Sequence, residues 1–221
     1  MRLVKVLFFC LLVKPLVLLL LGLNLRGRER LPLSGPAIIA ANHNSHLDAL
    51  VLMSLFPLHL IHKIRPVAAA DYFLSNRVLA WLARYCIGII PIDRSGKAAK
   101  AQLFAACHAA LDAGDIVILF PEGSRGEPEK FGPLKKGLFY LLEDRPQIPV
   151  IPVVMHGLGK ALPRGEALLV PFNCDVMVGE MLAPSALCTA SLMVDELTRQ
   201  FKALMTQCLT RSQNFDSDEY L

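Results

Sequence analysis

A chain of 221 residues is long enough for one domain with a substantial core and a short appendage. Its 54% apolar and 19% charged residues make it greasier than an ordinary soluble domain. Net charge is +4, or +7 for residues 1–211 once the tail's Asp216, Asp218 and Glu219 are set aside; this suits an anionic membrane surface, and with no RNP-like motif, zinc-finger spacing or basic helix with interleaved aromatics, nucleic acid is excluded as partner.

The first thirty residues read as a membrane-associating segment. Val6–Val13 and Leu16–Leu21 are uninterrupted apolar runs divided by Lys14-Pro15, and no small-x-small cleavage site follows. A spanning helix needs about 20 mostly apolar residues, but a proline there kinks or breaks it. A lysine at mid-membrane costs about 2.5–3.5 kcal/mol. Arg2 and Lys5 on one flank, with Arg26, Arg28 and Arg30 on the other, put both ends on the cytoplasmic side of the inner (plasma) membrane. The expectation is a helix–break–helix hairpin dipping into one leaflet, with a single tilted span as the alternative.

Residues 26–36, rich in arginine, proline and glycine, form a connector to the main domain, residues 31–211. Ala37–Ala41 is a short buried-type strand. Ser45-x-x-Asp48 has capping-box spacing, so a helix is predicted from His46 to Phe56. A strand over 66–70 and a helix over 72–85 follow. Next come a strand over 88–92 and an Ala-rich helix over 97–113, closed by Gly114. Residues 115–120 form a continuous apolar strand, 134–142 a helix and 149–155 a strand. One or two further strands lie in 167–179, an amphipathic helix spans 191–210, and 212–221 is a polar, disordered tail. Strands alternating with helices predict a single α/β domain with a largely parallel sheet flanked by helices. Six scattered cysteines without C-x-x-C spacing read as reduced thiols of a cytosolic setting.

Three segments carry chemistry. In Asn42-His43-Asn44-Ser45-His46-Leu47-Asp48, an imidazole can take a proton from an alcohol, and a carboxylate on its other nitrogen fixes tautomer and orientation. On one continuous helix, residues five apart diverge by about 140°. The two can meet only if His43 stays in the loop and Asp48 opens the helix. Taken alone, the segment is equally a helix cap beside a surface histidine. Gly88–Arg94 is an apolar run ending in arginine, and Phe120-Pro121-Glu122-Gly123-Ser124-Arg125 puts a carboxylate and a guanidinium just past a strand. Arg94 and Arg125 fit phosphate recognition at the carboxyl ends of strands, or are surface arginines. Glu122 positions Arg125 or the acceptor, or simply pairs with Arg125. No metal-ligand spacing, P-loop, dinucleotide fingerprint or Gly-x-Ser-x-Gly elbow occurs. A base without a nucleophile of its own suggests that the nucleophile is a substrate hydroxyl.

Together these motifs resemble the glycerolipid acyltransferase family, typified by bacterial lysophosphatidate acyltransferases. Asn42-His43-x-Ser45-x-x-Asp48 is similar to the family's first motif, and Gly88–Arg94 to its second. Phe120–Arg125 is similar to the third, with serine for threonine, and Ile148-Pro149-Val150-Ile151-Pro152-Val153 to the fourth. The resemblance implies that His43, oriented by Asp48, is the general base. It would deprotonate a lysophospholipid hydroxyl that attacks the thioester of acyl-CoA or acyl-carrier protein. Arg94, Glu122, Gly123, Ser124 and Arg125 would bind the acceptor head. No cofactor beyond the thioester donor is implied. One departure stands out. Many lysophosphatidate-specific members carry a lysine after the second strand, where this chain has Ala68-Ala69-Ala70-Asp71-Tyr72. The acceptor implied is 1-acyl-sn-glycerol-3-phosphate, with a larger-headgroup lysophospholipid or a lyso-aminolipid as alternative. A thioesterase and a non-catalytic lipid binder of the same fold are the rival functions.

Overall fold

The computed structural model describes residues 2–45, 47–73, 76–93, 100–126, 131–161 and 172–212. The chain opens with α1 (Arg2–Phe8), a π-helical turn (Phe9–Val13) and α2 (Lys14–Leu20), which run on without a break. The expected hairpin is therefore replaced by one helical stretch. Pro15 has no N–H to donate; just before it the ladder widens, the Lys14 N–H reaching back five residues to the Phe9 carbonyl, and the chain stays helical. No helix of the described residues is long and apolar enough to cross a membrane.

Strands β1 (Leu21–Arg26) and β2 (Ala37–Ala41) precede α3 (Asp48–Ser54), and β3 (Ile64–Ala69) leads into α4 (Ala70–Phe73) and α5 (Arg77–Trp81). A second π-helical segment, Leu82–Ile87, continues α5. Then come β4 (Ile90–Ile92), α6 (Lys100–Asp112), β5 (Ile116–Leu119), α7 (Gly137–Leu142), β6 (Val150–His156) and α8 (Leu158–Ala161). β7 (Phe172–Val178), α9 (Ala190–Met205) and α10 (Leu209–Ser212) complete the described chain. α6 is followed by Gly114 at φ 72°, a left-handed backbone that glycine adopts without penalty. Thr189 caps α9 by accepting the Leu192 N–H. The tail beyond residue 212 lies outside the described residues.

Among the described residues the sheet has seven strands, in the order β1-β7-β6-β2-β5-β3-β4. Every pairing is parallel except β6 with β7, so β1 and β7 run opposite to the five-strand parallel body. β1 was not foreseen: its Leu21, Leu23 and Leu25 alternate with Gly22, Asn24 and Arg26, but the apolar run before it hides that period of two. Alternation splits the core. Ile39, Ala41, Ile116 and Ile118 face a layer holding Phe9, Val13, Val17, Val51, Leu52, Ala83 and Ile87. Ile38, Ala40, Val117 and Leu119 face the layer of Leu111, Leu141, Leu197 and Phe201.

The N-terminal helix thus belongs to the fold. Phe9, Val13 and Val17 are buried, each worth roughly 1.5–3 kcal/mol, while Leu3, Leu7, Leu11, Leu18 and Leu19 stand exposed on the opposite flank. Two lysines turn inward. Lys5 Nζ donates to the Ile64 carbonyl at 2.7 Å, and Lys14 Nζ to the Phe56 carbonyl at 2.9 Å. Burial, and the nearby Arg65, push the Lys5 ammonium down to about 7.

Candidate active site

The register of β2 on β5 brings the first and third motifs together. Ala40 pairs with Leu119, and His43 and Glu122 each lie three residues further on. Both therefore leave the sheet side by side at the carboxyl ends of parallel strands, where open α/β sheets bind ligands. On the other side of β2, the Asn42 side chain extends the ladder to β6. Its Oδ1 accepts the Met155 N–H at 2.7 Å and its Nδ2 donates to the Met155 carbonyl at 2.8 Å.

Asp48 is fully buried at the start of α3, and one of its oxygens, Oδ2, gathers three N–H groups. Asn44 N donates at 2.7 Å, Ser45 N at 2.8 Å and His43 Nδ1 at 2.8 Å. An oxygen already accepting two backbone N–H bonds acts as a pure acceptor. The shared proton then belongs on Nδ1, which leaves the His43 Nε2 lone pair to take a proton. Half of the capping box forms, the carboxylate reaching back to the Ser45 N–H. The other half differs from expectation: Ser45 Oγ accepts from Leu47 N at 3.3 Å, and α3 begins at Asp48 without a side-chain cap. The helix is shorter than predicted because residues 43–45 wrap around that carboxylate; His46 itself lies outside the described residues.

Three further contacts hold His43. Its ring stacks on Phe120 with centroids 4.2 Å apart and planes 20° from parallel. Its backbone N–H donates to Glu122 Oε1 at 3.0 Å, and its carbonyl accepts the Gly126 N–H at 3.1 Å. Glu122, expected among the acceptor-binding residues, turns inward. It is buried, and Oε2 accepts the Gly132 N–H at 3.1 Å. Burial pushes its carboxyl above the usual range, while the His43 and Gly132 N–H groups pull the other way.

Gly123 sits at φ 74°, and a Cβ there would stand 2.8 Å from Lys135 Nζ, so the lysine lies directly over the turn. The 131–136 segment is drawn in further by Lys135 N, which donates to the Pro121 carbonyl at 2.8 Å. This replaces the first turn of the helix predicted over 134–142. Ser124 is exposed and Arg125 half-buried, its guanidinium 5.9 Å from the Tyr72 ring centroid. Tyr72 follows β3 at the same edge of the sheet. Arg94, two residues past β4, lies outside the described residues. Sequence reasoning gave no role to Asn42, Phe120, Tyr72 or Gly132. The first two stand inside motifs, whereas the others carry no local signal. Among the described residues, no group of three or more His, Cys, Asp or Glu could hold a metal ion.

The acyltransferase family model matches residues 22–156, from β1 to the end of β6, and so covers every motif above. A chloroplastic 1-acyl-sn-glycerol-3-phosphate acyltransferase of Brassica napus is 29% identical over 78% of this chain and 48% of its own length. One from Arabidopsis thaliana is 30% identical over 71% of this chain and 42% of its own. The alpha form of the same enzyme from Ovis aries is 30% identical over 70% and 52%. The chain thus spans about half the length of the curated relatives it matches. The crystal structure of the 1-acyl-sn-glycerophosphate acyltransferase PlsC from Thermotoga maritima shares the fold. Its TM-score is 0.72 at 18% identity, over 92% of this chain and 80% of that one. With its first and third motifs side by side beyond β2 and β5 and the family model matched across residues 22–156, this chain belongs to the acyltransferase family.

Proposed function

We propose that this chain is a membrane-surface O-acyltransferase that moves a fatty acyl group from acyl-CoA or acyl-carrier protein to the hydroxyl of a lysophospholipid. The acceptor is 1-acyl-sn-glycerol-3-phosphate and the product phosphatidic acid. The observation that carries the reading is the clamped pair of His43 and Asp48, with Nδ1 tied to a carboxylate already fixed by two backbone N–H groups. His43 Nε2 takes the proton of the acceptor hydroxyl as its oxygen attacks the thioester carbonyl carbon. The tetrahedral adduct expels the donor thiolate, which takes the proton back from Nε2, leaving an ester and a free thiol. The buried Asp48 carboxylate stabilises the transient imidazolium. Arg125, whose neighbour Gly126 donates its N–H to the His43 carbonyl, holds the acceptor's anionic head, and Ser124 and Arg94 share that task. No cofactor takes part.

The names of the curated relatives support lysophosphatidate as acceptor. The stretch Ala68–Tyr72, without the lysine that many lysophosphatidate-specific members carry after the second strand, favours a second reading: a lysolipid with a larger or amine-bearing headgroup. The exposed leucine flank of the N-terminal helix and the basic body fit work at an anionic surface, on the cytoplasmic face of the inner membrane. The test is a panel of lysolipid acceptors against both thioester donors, with products identified by mass spectrometry. Transfer that needs the acceptor and falls at least about a hundredfold in His43→Ala is expected. Thioester hydrolysis independent of acceptor, or turnover unchanged in the variant, refutes the proposal.

A further inference from the structure

The segment from Arg77 to Ile87 packs beside α1 and turns one flank inward: Ala83, Cys86 and Ile87 are buried. Its other flank carries Val78 (75% exposed), Trp81 (52%) and Tyr85 (38%), with the Trp81 and Tyr85 rings 6.0 Å apart. Spacings of three, four and seven residues align them as one stripe, and the exposed Arg77 and Arg84 stand alongside. Single exposed apolar side chains are ordinary on a protein surface; a valine, a tryptophan and a tyrosine in line on one helix are not. Ala83 and Ile87 share their core layer with Phe9 and Val13 of the N-terminal helix. The two helices therefore lie in one layer over the same face of the sheet, and both present their exposed flanks on the side away from it. Trp81 and Tyr85 stand exposed on the second helix as Leu3, Leu7 and Leu11 do on the first. Lys5 ties the two together, since its Nζ reaches the Ile64 carbonyl and lies against Gly88 at the end of the second helix.

We infer that the Val78–Trp81–Tyr85 face is a second lipid-contacting surface, seated among the headgroups of an anionic bilayer beside the N-terminal helix. The inference rests on the membrane-surface reading above and adds to it a contact that the apolar N-terminus alone does not supply. Amphipathic tryptophan and tyrosine rings favour the headgroup level of a bilayer, and arginines beside them pair with lipid phosphates. The occupant is a lipid surface rather than a second copy of this chain, because the body's charge of +7 over residues 1–211 repels its like and attracts an anionic membrane. The position also has a use. Three residues before Asn76, which caps α5, α4 ends, and its Tyr72 meets the Arg125 guanidinium. One short stretch thus joins the bilayer contact to the rim of the acceptor site.

Trp81 is the chain's single tryptophan, so its fluorescence reports this face alone. The full chain is mixed with vesicles of phosphatidylcholine and phosphatidylglycerol, with and without brominated phosphatidylcholine, and binding is measured in parallel by co-sedimentation. The expected result is a blue-shifted emission that brominated lipid quenches. The double variant Val78→Ser with Tyr85→Ser, both at exposed positions and checked for fold by circular dichroism, is expected to bind vesicles about tenfold more weakly. Protein that co-sediments while its emission stays unshifted and unquenched overturns the inference and leaves the membrane-surface reading standing. Protein that does not co-sediment removes that reading and the inference with it. Emission that shifts with protein concentration in the absence of vesicles, and is not quenched by brominated lipid, overturns the inference in favour of self-association.

Discussion

Replacing Glu122 by glutamine keeps shape and volume and changes one atom's chemistry. Both carboxylate oxygens now accept backbone N–H groups, His43 N at 3.0 Å and Gly132 N at 3.1 Å. An amide offers one oxygen and one NH2, so whichever way it turns, a donor faces a donor across about 3 Å. One charge-assisted bond is lost, roughly 1.5–3 kcal/mol, and a buried N–H is stranded, roughly 1–3 kcal/mol more. Relief of burying a charge, visible in the upward push on the Glu122 carboxyl, offsets part of this, leaving a net loss of about 2–5 kcal/mol. Urea unfolding followed by circular dichroism measures that loss directly. Activity responds as well, because His43 N is one of the two donors and, with His43 as the proposed base, a shift of about 1 Å there costs on the order of a hundredfold. Stability and kcat/KM both within twofold of the parent would refute the idea that Glu122 braces the base.

Asp48→Asn removes the charge facing the imidazolium at 2.8 Å, an attraction of about 6 kcal/mol at an effective dielectric constant near 20. Since the amide oxygen can still accept the Nδ1–H, kcat is expected to drop by about two to four orders of magnitude in steady-state acyl transfer; a drop under threefold in a folded variant contradicts the orienting role. Lys5 gives a pH prediction. Its ammonium falls from 10.5 to about 7 on folding, so the unfolded chain binds more protons between those values, and its contribution raises stability as pH rises through that window. From pH 6.5 to 9.5 the parent should gain about 3 kcal/mol relative to Lys5→Met in urea unfolding; parallel curves would show that burial leaves the lysine's charge untouched.

The parallel body of the sheet was legible because its strands are buried on both faces and read as apolar runs bounded by turn residues. Ala37–Ala41 was located to the residue, and 116–119 and 150–156 to within one. What escaped depends on partners distant in sequence. β1 exists as a strand because β7 lies alongside it, and nothing in Leu21–Arg26 says that its neighbour is about 150 residues away. The reversal at β7 is equally silent, since strand direction is set by topology and not by local composition. In the site, proximity of His43 and Asp48 was readable from the loop-then-helix pattern. The inward turn of Glu122 was not, because its second partner, Gly132, arrives from a segment with no motif of its own. The N-terminal helix misled for a related reason: Lys14-Pro15 reads as a break, yet a widened turn and the Phe56 carbonyl accommodate both residues.

The equal spacers between the paired residues Ala40 and Leu119 and the residues His43 and Glu122 restrict how this chain can diverge. One residue inserted into either spacer moves its side chain by about 3.3 Å and turns it to the other face, separating His43 from Glu122. Inserting the same residue in both would keep them level but lift them off the Asn42–Met155 anchor. Drift in length is therefore channelled to the opposite edge of the sheet, where turns such as 143–149 join α7 to β6 away from the base. Relatives should differ by insertion there and by substitution alone between residues 40 and 48.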